Sequence, residues 1–108
     1  MPDVPELNDI VLDFSEVEAL EEFEVTCRSV SMRRANEIDA LPFTERMQVM
    51  GDELIKSWNF TKDGAVLIVN GDQLAGMPAW IGMTMYNAWT LGLVTAPKAL
   101  GTPASNGR

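Results

Sequence analysis

Between Phe23 and Ser29 apolar and polar residues alternate, with Phe23, Val25 and Cys27 on one side and Glu24, Thr26 and Arg28 on the other. A period of two predicts a half-buried strand over residues 23–30. Upstream, Leu7, Ile10, Val11, Phe14 and Val17 fall at helical spacing, with acids on much of the opposite face. Ser15 and Glu18 form a capping box, which predicts a short helix over 16–22. Downstream the period changes to three and four. Ser31 caps a helix through Met32, Ile38 and Leu41 that Pro42 ends, and Thr44 caps a second over 45–57, where Met47, Met50, Leu54 and Trp58 share one face.

The clearest local signal is Lys62-Asp63-Gly64 between Trp58-Asn59-Phe60-Thr61 and Ala65-Val66-Leu67-Ile68-Val69. Asp-Gly between strand-prone runs predicts a hairpin spanning 58–69, because both central residues of the favoured turn need positive φ. Asn70 with Gln73 is another capping box and opens a short helix to about Gly76; Pro78 suits the first turn of a further helix reaching Val94. Residues 95–108 are rich in Pro, Gly, Ser and Ala and read as a flexible C-terminal tail. The fold class expected is α+β: a small, mostly helical domain with an N-terminal strand and a β-hairpin, organised as an arm over 1–22, a single domain over 23–94 and the tail.

Charge makes the first of those boundaries more pronounced. Residues 1–24 hold nine acids and neither Lys nor Arg, while the other 84 hold seven acids and all eight basic residues, so the net charge of -8 is -9 from the N-terminal segment and +1 from the remainder. Such a segment with Leu7, Ile10, Val11 and Phe14 as its apolar stripe is either a partner-binding arm or a helix packed on the core. Charge is then absent from Gln73 through Pro97. A helix over 78–94 that is apolar nearly all round is buried on several sides, inserted in a membrane or part of a protein interface. Asn87, Thr84, Thr90 and two glycines dilute it below what a membrane span needs. Met77, Trp80, Met83, Tyr86, Trp89 and Leu91 are residue types favoured at contact surfaces, which makes them the candidate partner-binding residues and predicts a homo-oligomer.

Several kinds of chemistry lose their support. The chain has no histidine, so Ser-His, Cys-His and His-metal arrangements cannot be drawn. It has one cysteine, Cys27, on the apolar side of the predicted strand, and neither a GxGxxG nor a P-loop pattern. No catalytic residue, cofactor or metal is therefore expected, and Cys27 reads as a small core residue. Arg33, Arg34 and Arg46 form a small basic cluster, too little for nucleic-acid binding at a pI of 4.3. The absence of a basic n-region followed by an apolar stretch leads to the expectation of a cytoplasmic protein.

The order of elements resembles the tail assembly chaperones of long-tailed phages. The strand–helix–helix block over Val25 to Ser57, the aromatic segment entering an Asp-Gly turn over Trp58 to Gly64, Asp72-Gln73-Leu74 leading into the apolar helix ending at Val94, and the Pro/Ser/Gly tail over Leu100 to Gly107 carry the resemblance. It covers residues 23–108; Ala65-Val66 departs from the pattern, which often has Pro there. The resemblance implies a non-enzymatic protein that coats the apolar, largely helical tape measure protein during virion assembly in the host cell cytoplasm. Two other classes fit the residues: a structural virion protein such as a small connector or tail subunit, and an acidic nucleic-acid mimic that inhibits a host enzyme.

Overall fold

The structure is a computed structural model that describes residues 2–95. Strand β1 (Asp9–Val11) leads through a single 3₁₀ turn (Glu18–Leu20) to β2 (Val25–Arg28). Helices α1 (Met32–Asp39) and α2 (Phe43–Val49) follow, and α2 runs on through a wider π turn (Met50–Leu54) into β3 (Ile55–Trp58). The small hairpin of β4 (Thr61–Lys62) and β5 (Ala65–Val66), the short helix α3 (Gly71–Ala75) and the long helix α4 (Ala79–Val94) complete the domain. The antiparallel sheet has the order β1-β2-β3. It is an α+β arrangement, with the hairpin standing apart from the sheet.

The central strand β2 is the one that the alternating pattern predicts. Val25 and Cys27 point into the core and are fully buried, while Arg28 is exposed. Opposite β3 the register shifts between Thr26 and Cys27, a bulge that lets the π turn run directly into the strand. Local signals are met in detail at three places. The Ser31 hydroxyl accepts from the Arg34 N–H at 3.2 Å, and Asn70 Oδ1 accepts from the Gln73 N–H at 2.8 Å, so both caps form. Asp63 (φ 54°) and Gly64 (φ 84°) take the two positive φ values that the Asp-Gly turn demands.

Residues 1–22 differ from expectation. They are not a separate arm: β1 pairs with β2 in the register Asp9 to Arg28, Ile10 to Cys27 and Val11 to Thr26, and the Leu12 N–H donates to the Val25 carbonyl at 2.9 Å. The helical spacing of Leu7, Ile10, Val11 and Phe14 coincides with a second period, Ile10-Leu12-Phe14, and that one prevails. Leu12 and Phe14 are buried, Ile10 is half-buried, and Val11 and Asp13 face out. A strand gains ladder bonds from β2 and three apolar contacts with the core, which a lone acidic helix would lack. The predicted helix over 16–22 shrinks to the 3₁₀ turn, and Ser15 uses its N–H on Asp13 Oδ1 (2.9 Å) rather than its hydroxyl as a cap.

The second long helix also stops early. Pro42 rather than Thr44 stands at its N-cap, so it starts at Phe43 instead of Glu45, and its regular turns end at Val49. At the π turn Gly51 lies flush against the backbone of Asn70 and Gly71, where a methyl group would come within 2.5 Å of the Asn70 carbonyl oxygen. The Asp52 carboxylate accepts from the Gly71 N–H at 2.6 Å, which staples the start of α3 to the same turn. Trp58 thus belongs to β3. Its indole N–H donates to the Leu67 carbonyl at 2.8 Å and its ring meets Phe60 edge-on, 5.2 Å between centroids, fastening the hairpin to the sheet. The tail expected over 95–108 lies, apart from Thr95, outside the described residues.

Two stability outcomes follow from this packing. Removing residues 1–22 takes away an edge strand together with buried Leu12, Phe14 and Leu20, so the truncated chain should lose its cooperative thermal transition; Phe14→Ala alone should cost about 3–5 kcal/mol in denaturant unfolding. A truncated chain melting within ~15 °C of the full protein would return the segment to the status of an arm. Gly51→Ala presses a methyl on rigid backbone and should cost ~3 kcal/mol, the upper end of the usual overpacking range, whereas Gly76→Ala, whose methyl comes no nearer than 3.3 Å to the Asp72 carbonyl oxygen, should cost much less in the same assay.

Candidate interaction surface

Helix α4 divides into two faces, although its sequence is apolar almost all round. Gly82, Met85, Tyr86 and Trp89 face inward and are buried. Trp80, Met83, Leu91 and Val94 face outward at 49%, 51%, 64% and 81% exposure, with Asn87 exposed between them. Polar atoms determine which side goes in. The Trp89 indole N–H donates to the Arg28 carbonyl at 3.0 Å, and the Tyr86 hydroxyl donates to Asp39 Oδ1 at 2.8 Å. Above the Tyr86 ring the Arg46 guanidinium lies 4.8 Å from the centroid, and its Nη2 donates to the Asp39 and Leu41 carbonyls at 3.0 Å each.

The candidate residues are therefore separated by the fold. Tyr86 and Trp89 are core residues and cannot meet a partner. Met77 is half-buried and lines a cleft of about 210 Å³ with Phe43, Met47 and Leu74. Of the N-terminal set, Phe14 is buried, whereas Leu7 and Val11 are exposed and reach the same surface as Leu91. The meeting point is Gly92, against which Ile10 of β1 packs with no room for a side chain on the helix. Grooves open on both sides of this crossing. One, of about 740 Å³, runs along Leu7, Ile10, Val11 and Leu93; the other, of about 380 Å³, lies between Val11 and Val17 on one wall and Ala88 and Leu91 on the other, with Asp13 and Glu16 on its rim. Val94 was missed by residue-type reasoning, although it lies on the helical stripe of Trp80, Met83 and Leu91 and its spacing marks it.

The remaining candidates become structural. Arg34 pairs with Glu53 at 2.8 Å and Glu37 at 3.1 Å, hydrogen bonds that raise its pKa further, in the order Glu53 then Glu37. With Arg46 half-buried against the Tyr86 ring, the basic cluster does not form a surface patch. Burial pushes the Cys27 thiol up from 9.0 to about 12, which suppresses the thiolate. Tyr86 is pushed up to about 12 by burial first and by its hydrogen bond to the Asp39 carboxylate second. Among the described residues no cluster of three potential metal ligands occurs, and no helix is long and apolar enough to cross a membrane. No family model matches the chain, and no curated protein or solved structure matches it either.

The two raised pKa values give a pH prediction with a definite sign. Between the ordinary values of 9.0 and 10.0 and the folded values near 12, the native state holds protons that the unfolded chain has released, so stability is full below about pH 9 and falls as pH rises toward 12. Denaturant unfolding at pH 8 and pH 11 should show this fall, and Tyr86→Phe should make it shallower; an unchanged slope in the variant would assign the alkaline loss elsewhere.

Proposed function

We propose that the protein is a non-enzymatic tail assembly chaperone that holds an apolar helical segment of a tape measure protein while a phage tail is built. The observation that carries this reading is the convergence of exposed apolar residues from two distant parts of the chain. Leu7 just ahead of β1, Val11 within it and Leu91 from α4 border grooves that a helix with an apolar stripe fits by the helix-in-groove mode. Exposed Met83 and Trp80 extend the apolar strip along α4, and a Met-rich surface accommodates successive segments of differing detail.

Charge narrows the partner. Glu6, Asp13 and Glu16 line the grooves, and residues 1–24, which supply them, hold nine acids and neither Lys nor Arg. An apolar helix flanked by Lys or Arg would gain steering and affinity there, and a strongly acidic one would be repelled. The resemblance of residues 23–108 to tail assembly chaperones points to the same kind of client. A structural virion subunit would use the same surface permanently, and the difference lies in whether the chain remains in the finished particle.

Co-expression with the products of neighbouring genes, followed by affinity capture and mass measurement, should recover a long helical protein. Val11→Asp and Leu91→Asp, both at exposed positions, should each reduce capture at least tenfold while leaving the thermal transition within a few degrees of the parent. Capture unaffected by both substitutions would remove this surface from the proposal. Recovery of the chain from purified mature particles would favour the structural subunit.

A further inference from the structure

The outward face of α4 is symmetric about its centre. Trp80 and Val94 lie seven residues to either side of Asn87, Met83 and Leu91 four, and Thr84 and Thr90 three. All of these side chains are exposed or partly exposed on the stripe opposite to buried Met85 and Trp89. From this geometry we infer that the occupant of the stripe is a second copy of the chain, docked through an antiparallel α4–α4 pair whose two-fold axis passes by Asn87. The inference goes beyond the proposed function: it concerns the free chain, in which a second copy that a client helix has to displace covers the strip.

An antiparallel pair centred on Asn87 sets each residue against its counterpart. Trp80 meets Val94 of the second copy and Met83 meets Leu91, so large faces small in the outer layers and similar volumes meet in the inner ones. Thr84 meets Thr90. Their hydroxyls donate within their own helix, to the Trp80 carbonyl at 2.7 Å and the Asn87 carbonyl at 2.9 Å, which leaves each Thr without an unmet donor at the seam. The Asn87 side-chain amide has donors and an acceptor, makes no hydrogen bond to a described residue, and would exchange two bonds with its own copy across the axis. A slip of one turn would set this amide against Met83 or Leu91 and leave it unpaired, so Asn87 fixes the register.

Charge and dipole agree with the same orientation. Any charged residue on the axis would meet its own like charge, and none occurs from Gln73 through Pro97. Antiparallel helices also oppose their macrodipoles, whereas a parallel pair would stack Trp80 on Trp80 and bring like helix ends together. The stripe of one 16-residue helix is smaller than the ~800 Å² per partner of a standard interface, so the dimer should be weak, with a dissociation constant on the order of tens of micromolar.

Purified full-length protein tests this without any client. Sedimentation over ~1–500 μM should show a monomer–dimer equilibrium, and Asn87→Asp, which sets two carboxylates on the axis, should weaken it more than tenfold with the thermal transition retained. Met83→Cys and Leu91→Cys then give the orientation under mild oxidation, the native Cys27 being buried. In the antiparallel pair equivalent positions 83 lie ~12 Å apart along the axis, beyond disulfide reach, so each variant alone should stay uncrosslinked and their mixture should form the disulfide heterodimer. Crosslinking of Met83→Cys with itself would mean a parallel pair, and a monomer at every concentration, or association unchanged by Asn87→Asp, would overturn the proposal.

Discussion

The rotation of α4 about its own axis is the constraint on which the surface of this protein depends. A helix with apolar residues on every side gains nearly equal burial from any rotation, so the hydrophobic effect alone does not choose a face. The choice falls to groups that burial penalises when they lack a partner. An indole N–H in a dry core needs an acceptor, and for Trp89 it is the carbonyl of Arg28 at the end of β2. The Tyr86 hydroxyl needs one as well and finds it on Asp39 at the end of α1. Two glycines complete the docking. Gly82 admits the Met47 sulfur, whose distance from a methyl group there would be only 2.8 Å, and Gly92 admits Ile10 of β1. With those four points set, Trp80, Met83, Leu91 and Val94 have no place in the core.

The same constraint shows why the fold was more legible than the site. Caps and turns are decided within a few residues, and Ser31, Asn70 and Asp63-Gly64 behave as their chemistry dictates. The inward side of β2 was equally plain, because a period of two has one solution. Residue type could not separate Trp80 from Trp89, however, since both are aromatic and lie on the same charge-free helix. Their fates differ through acceptors that come from β2 and through glycines that come to matter only when α2 and β1 are in place. The sorting is a tertiary event.

The N-terminal segment illustrates a competition of another kind. Its apolar positions satisfy a helical period through Leu7, Ile10 and Phe14, and a strand period through Ile10, Leu12 and Phe14. Nine acids without a base leave both a partner-binding arm and a helix packed on the core open. Around β1 alternation resolves the conflict, because Asp9 and Asp13 turn outward while Ile10, Leu12 and Phe14 turn to the core. Asp9 even finds a partner in Lys56, 2.7 Å away on β3, though an exposed pair of this kind contributes little to stability. Acidity here describes one face of an element and not its detachment.

Because β1 is an edge strand anchored at Gly92, Asp9 and the flanking acids Glu6, Asp13 and Glu16 line grooves that α4 also borders. The result is an uncharged apolar strip with a carboxylate rim, built from the most acidic and the least charged parts of the sequence. The two parts serve opposite needs. An apolar strip left open attracts any other apolar surface, while a rim of one sign repels other acidic proteins, copies of this one included, when they approach off the strip. Along the centre of α4 that repulsion is absent, so the orientation with helix against helix is the one in which the strip can be covered at the smallest electrostatic cost. In the contact proposed for this strip, specificity would come from where the carboxylates stand, and affinity from Trp80, Met83, Leu91 and Val94, which the rotation of α4 leaves outside.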